Sequence, residues 1–113
     1  MKPWRVLSSR ISYEDQWLKV RSDRCETDDG RIIDPFHIIE YHEWVCVIAL
    51  TAVGDVVAIR EYRHGAKAIT IGLPGGTSDG PGEDIAATAA RELEEETGYQ
   101  CSRLVRIGRA YAN

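Results

Sequence analysis

One convincing helix punctuates this chain, and it comes late. From about Glu83 to Thr97 the sequence is rich in alanine, glutamate and leucine, all good helix formers. The stretch opens with Glu83-Asp84, acids suited to the positive end of a helix dipole, and stops at Gly98. At 100° per residue Ile85, Ala86, Ala89, Ala90 and Leu93 share one face. Three small alanines there would let the helix lie close against a sheet. Nothing else has helical periodicity, so the fold class to expect is α+β or α/β.

The remainder reads as strand and turn. Residues 4 to 41 are strand-like, with Trp17 to Cys25 and Ile32 to Tyr41 flanking Asp28-Asp29-Gly30, a strong hairpin signal. Pro35 has no N–H to donate, which places its strand at an edge or at a bulge. Trp44 to Thr51 is nearly continuous in apolar residues, as expected for a strand buried on both faces. Gly54-Asp55 turns the chain and Val56 to Arg63 returns it. A Gly/Pro-rich loop, Gly72 to Gly82, then leads into the helix, and Leu104 to Tyr111 reads as a last strand. The resulting division is an N-terminal β region, residues 1–43, and a second region, residues 44–113.

Composition excludes several classes. With 43% hydrophobic and 28% charged residues, wholesale disorder is not expected. The longest apolar run, Val45 to Leu50, is too short to cross a bilayer, and Met1 to Arg5 lacks the apolar stretch of a secretory signal. Cys25, Cys46 and Cys101 form no metal-type pair and read as free thiols, which points to the cytoplasm. His37, His42 and His64 read as surface or packing residues. A net charge of −4 argues against broad nucleic-acid binding. A phosphate site would therefore need local arginines or a bound cation.

The chemistry concentrates in Arg91-Glu92-Leu93-Glu94-Glu95-Glu96-Thr97-Gly98. Relative to Glu92, Glu96 lies at about 40° and Glu95 at about −60° around the helix, so three carboxylates share one arc. Such crowding costs roughly 0.2–0.5 kcal/mol per pair, and acids near a helix C-terminus oppose the dipole. Both penalties reverse if a divalent cation sits among the oxygens, and Mg²⁺ suits such hard ligands. An acidic triplet alone is more often a solvated face; the wider pattern decides.

Glu83, Arg91, Glu92, Leu93, Glu95, Glu96, Gly98 and Tyr99 stand in the spacing E-x7-R-E-U-x-E-E-x-G-U, where U is apolar. This resembles the signature of the Nudix hydrolase family. One departure is visible: the pattern wants five residues between its first glycine and the glutamate, and Gly76 is followed by six. A one-residue bulge in an exposed loop would accommodate it. The resemblance implies an α/β/α sandwich with a mixed sheet, and cleavage of a nucleoside diphosphate linked to another moiety. It implies that Glu92, Glu95 and Glu96, with the Gly75 carbonyl, hold Mg²⁺ or Mn²⁺, and that Arg91 and Glu92 are catalytic, Arg91 orienting a glutamate.

The upstream part is most similar to the ADP-ribose and nucleotide-sugar pyrophosphatases of that family, through Glu61-Tyr62-Arg63 and Leu73-Pro74-Gly75-Gly76. Glu61 stands where that branch has glutamine, Gly72 where it has glutamate, and Gly75 where it has alanine. The resemblance implies that Arg63 and Gly76 contact substrate; Arg63 is equally readable as a surface residue paired with a neighbouring acid. Trp17, Tyr41 and Trp44 could stack a base, or pack in a core or dimer contact. Only fifteen residues follow Gly98, whereas the family's fold has a second half; the expectation is that a partner subunit covers the open sheet or that the chain is a fragment of a longer protein. The expectation is a homodimer through residues 4 to 41; the alternative is an incomplete module that binds without turnover.

Overall fold

The computed structural model describes residues 2–80 and 82–111. The chain forms two compact units, Met1–Tyr41 and His42–Asn113.

The N-terminal unit is one antiparallel sheet of β1 (Arg5–Glu14), β2 (Lys19–Glu26) and β3 (Ile32–Glu40), in that order. Asp15 closes the first turn: its carboxylate accepts from the N–H groups of Trp17 (2.7 Å) and Leu18 (2.8 Å) and from the Tyr13 hydroxyl (2.7 Å). The second turn places Gly30 at φ 84°, the left-handed conformation that glycine adopts without steric cost. Pro35 meets both of its expectations. Its strand is an edge, and the register shifts between Asp23↔Phe36 and Cys25↔Ile33, leaving Asp34 and Pro35 opposite Arg24. Being central, β2 carries the buried residues, Ser22, Asp23 and Cys25.

In the C-terminal unit β4 (Ile59–Arg63) pairs antiparallel with β5 (Ala68–Gly72). β5 lies outside the strands expected from sequence, although its Ile69-Thr70-Ile71 core is β-branched and alternating. The expectation of burial on both faces for residues 44–51 is corrected. Val45 and Val47 are buried, whereas Trp44, Ile48 and Leu50 are more than half exposed. The segment pairs through isolated bridges, Trp44↔Thr77 and Leu50↔Val56, so successive side chains alternate between a covered and an open face. The strand expected at 104–111 is likewise not formed: these residues make no strand pairing among the described residues. Every strand pairing among the described residues is antiparallel, and the parallel part of a mixed sheet is not formed among them.

Helix α1 spans Ile85–Thr97. Asp84 caps it by accepting from the Ala86 N–H at 3.0 Å, and Gly98 ends it at φ 74° with its N–H on the Glu94 carbonyl at 2.8 Å. Its buried residues are Leu93 and Thr88; Ala86, expected on the covered face, is exposed. Thr88 tolerates full burial because its hydroxyl donates to the Asp84 carbonyl at 3.3 Å.

Candidate functional site

Two backbone bonds bring the Gly/Pro-rich loop beside the chain at Val45: Val45 N–H to the Gly76 carbonyl and Val47 N–H to the Pro74 carbonyl, both 2.8 Å. Between them, the Gly75 N–H turns the other way and donates to the Glu96 carboxylate at 2.9 Å. A Cβ on Gly75 would strike the Val45 carbonyl oxygen, and one on Gly76 would strike the Glu92 carboxylate. The missing Cβ of Gly75 therefore lets the loop lie against the Val45 backbone, and that of Gly76 lets it lie against the Glu92 carboxylate.

Arg91 ties loop to helix. Its Nη1 donates to Glu92 at 2.9 Å and to Glu95 at 3.4 Å. Its Nη2 donates to the Thr77 carbonyl at 3.1 Å and stands 3.6 Å from Asp79 and 3.7 Å from Glu83. Burial alone would disfavour the guanidinium charge, but Asp79, Glu92 and Glu83 outweigh it. Nε is buried with no hydrogen-bond partner among the described residues. Glu83 in turn accepts from the Asp79 N–H at 2.6 Å. That bond foremost, against the opposing effect of burial and with help from Thr88 and Arg91, holds the Glu83 carboxyl below its ordinary range.

Glu92, Glu95, Glu96, Arg91, Gly75 and Gly76 are thus brought together. Glu94 lies apart, paired with Gln100 at 2.7 Å. Arg63, at the end of β4, pairs with Glu61 at 2.5 Å and makes no bond to these carboxylates among the described residues. Trp17, Tyr41 and Trp44 are all exposed, so none is a core residue here. Sequence reasoning missed Asp79, the Thr77 carbonyl and Thr88. The one available signal was the extra residue in the loop between Gly76 and Glu83.

The carboxylates fit a divalent cation in kind: all are hard oxygen donors, and the missing Cβ of Gly76 leaves Glu92 its place. Among the described residues no three acidic, histidine or cysteine side chains converge on a common point. Glu92 and Glu95 turn to Arg91 and Glu96 to the Gly75 N–H, and each is a flexible side chain held by a single interaction of this kind. No helix among the described residues is long and apolar enough to cross a membrane.

Comparison with known proteins follows the division of the chain. Residues 40–112 match the family model described as NUDIX domain, and residues 4–39 match the one described as nucleoside diphosphate sugar hydrolase N-terminal domain. The chain is 32% identical to the methanol dehydrogenase activator of Bacillus methanolicus, over 92% of this chain and 52% of that one. It is 33% identical to an ADP-ribose pyrophosphatase of Bacillus subtilis (strain 168), over 67% of this chain and 40% of that one. A solved ADP compounds hydrolase shares the fold with TM-score 0.74 at 23% identity, over 91% of this chain and 55% of that one. The chain thus spans about half the length of the proteins it matches.

Proposed function

On the premise that the chain belongs to the Nudix family, we propose that it acts in the metal-dependent hydrolysis of a nucleoside diphosphate linked to another moiety, ADP-ribose or a nucleotide sugar foremost. The observation that carries this reading is the clustering of Glu83, Arg91, Glu92, Glu95 and Glu96 against the Gly75-Gly76 loop. The likeness of residues 4–39 to a nucleoside diphosphate sugar hydrolase N-terminal domain supports the substrate class, as does the ADP-ribose pyrophosphatase relative.

Glu92, Glu95 and Glu96 would hold Mg²⁺ or Mn²⁺, with the Gly75 carbonyl, since in extended chain a residue's C=O points to the same side as its N–H. Such an ion, when bound, neutralises pyrophosphate charge and lowers the pKa of its water. Arg91 orients Glu92 through its Nη1 bond until that carboxylate turns to the ion. Glu83, kept ionised by the Asp79 N–H, gives Arg91 a fixed anionic partner on the loop side. Arg63 and Gly76 are assigned to substrate, Arg63 by exchanging Glu61 for a phosphate. The exposed apolar residues of β1, among them Val6, Leu7, Ile11 and Tyr13, support a homodimer through residues 4 to 41. The three free cysteines fit the cytoplasm.

Incubation with a nucleotide-sugar panel and Mg²⁺, assayed for phosphomonoester, tests this directly. Release from ADP-ribose or a nucleotide sugar is expected. Metal uptake without release would favour a binding module; neither uptake nor release would refute the proposal.

A further inference from the structure

We propose that Asp79 is a positioning residue for Arg91, holding the guanidinium on the loop so that Glu92 and Glu95 can be released to a divalent cation. The proposal rests on the metal-dependent reading above. Arg91 has two differently occupied sides: Nη1 holds Glu92 and Glu95, both expected ligands, while the partners of Nη2 among the described residues are the Thr77 carbonyl, Asp79 and Glu83. Were Glu92 and Glu95 to turn to a cation, Nη1 would lose both partners. A guanidinium stays charged at any working pH, so without an anchor it would follow the carboxylates and compete with the cation for them.

Asp79 anchors it twice. Its carboxylate stands 3.6 Å from Nη2, and its backbone N–H fixes Glu83, the second acid on that side, at 2.6 Å. It lies in the Thr77–Gly82 stretch, which carries the extra residue relative to the family spacing. A rival account is that Asp79 merely adds negative charge near the cation, with or without Arg91. The two accounts differ in whether Asp79 and Arg91 are coupled.

The test is a Mn²⁺ titration of the full chain, followed by the loss of the free Mn²⁺ signal in electron paramagnetic resonance. Asp79→Asn, which keeps the backbone N–H, is expected to weaken Mn²⁺ binding roughly two- to fivefold, the size of an exposed ion pair. Asp79→Glu should recover most of that loss, and Asp79→Asn should add no loss in an Arg91→Gln background. Equal losses in both backgrounds would overturn the proposal in favour of plain charge; so would an Asp79→Asn chain that binds like the parent. If circular dichroism shows Arg91→Gln unfolded, Arg91→Lys, which cannot span both sides, replaces it with the same outcomes. Glu92→Gln is titrated in parallel. If it binds like the parent, or the parent takes up no Mn²⁺, the metal-dependent reading fails and this role with it. If Glu92→Gln loses binding while Asp79→Asn does not, the positioning role alone fails.

Discussion

The two units of this chain both leave apolar side chains exposed, but they differ in what they bury. In the three-stranded sheet polar groups are inside: Ser22 meets Ser12 and His37, and Asp23 is held by Ser9 and Arg21, which keep its carboxyl below the ordinary range. Of its apolar side chains Cys25 is buried, whereas Val6, Ile11, Phe36 and Ile39 are exposed. In the C-terminal unit Val45, Val47 and Leu93 are buried, and Arg91 pairs with Glu83, Glu92 and Glu95. A three-stranded sheet has a single central strand, so hydrogen-bond pairing alone cannot cover its apolar faces. A loop folded onto a helix can bury apolar groups and order charges at the same time.

Substitutions should sharpen this contrast. Leu93→Ala removes a buried side chain of the loop–helix unit and is expected to destabilise by roughly 2–5 kcal/mol in chemical denaturation. Ile11→Ala, on the exposed face of β1, should cost the isolated chain under about 0.5 kcal/mol. Similar losses for the two would erase the distinction between the units.

The two loop glycines should separate stability from function. Gly76→Ala forces only the free end of Glu92 aside, so it should spare the melting temperature and lower turnover by about 10²-fold, the size of one lost transition-state contact. Gly75→Ala instead meets the Val45 backbone, which cannot give way as easily, and should destabilise by roughly 1–3 kcal/mol. Asp84→Ala comes next: loss of the helix cap should cost about 1 kcal/mol, read from the same denaturation curves.

The smallest effect is on acid stability. Glu83 is depressed below its ordinary value of 4.5, so its contribution is present above that value and is lost as pH falls through the lower folded value. Glu83→Gln should therefore flatten the acid limb of the stability profile below about pH 4.5 and leave its slope near neutrality unchanged. A parallel shift at all pH values would assign Glu83 a packing role only.

What was legible in sequence was local. Gly98 marks the end of the helix, Asp28-Asp29-Gly30 marks a hairpin, and the 3.6-residue period alone separates Glu94 from its acidic neighbours; the acids read as opening the helix, Glu83 and Asp84, stand just before it, Asp84 as its cap. What was illegible depends on distant partners. Residues 44–51 carry an apolar run compatible with one or two covered faces, and only the pairing with Thr77 and Val56 decides between them. Residues 104–111 have the composition of a strand but pair with no strand among the described residues. Asp79 has no periodic signature at all, because its tie to Arg91 crosses from loop to helix.

The central claim is that three glutamates on one arc of α1, and not the helix's acidity at large, form a cation site. Titrating Mn²⁺ into Glu92→Gln, Glu96→Gln and Glu94→Gln tests it most directly. Glu94 lies about 200° around the helix from Glu92 and bonds Gln100, so it cannot share an ion with the others. Glu92→Gln and Glu96→Gln should each weaken binding at least tenfold, whereas Glu94→Gln should change it less than about threefold, the scale of a surface substitution. Equal losses for all three would mean that only a diffuse acidic field attracts the ion, and would contradict the account.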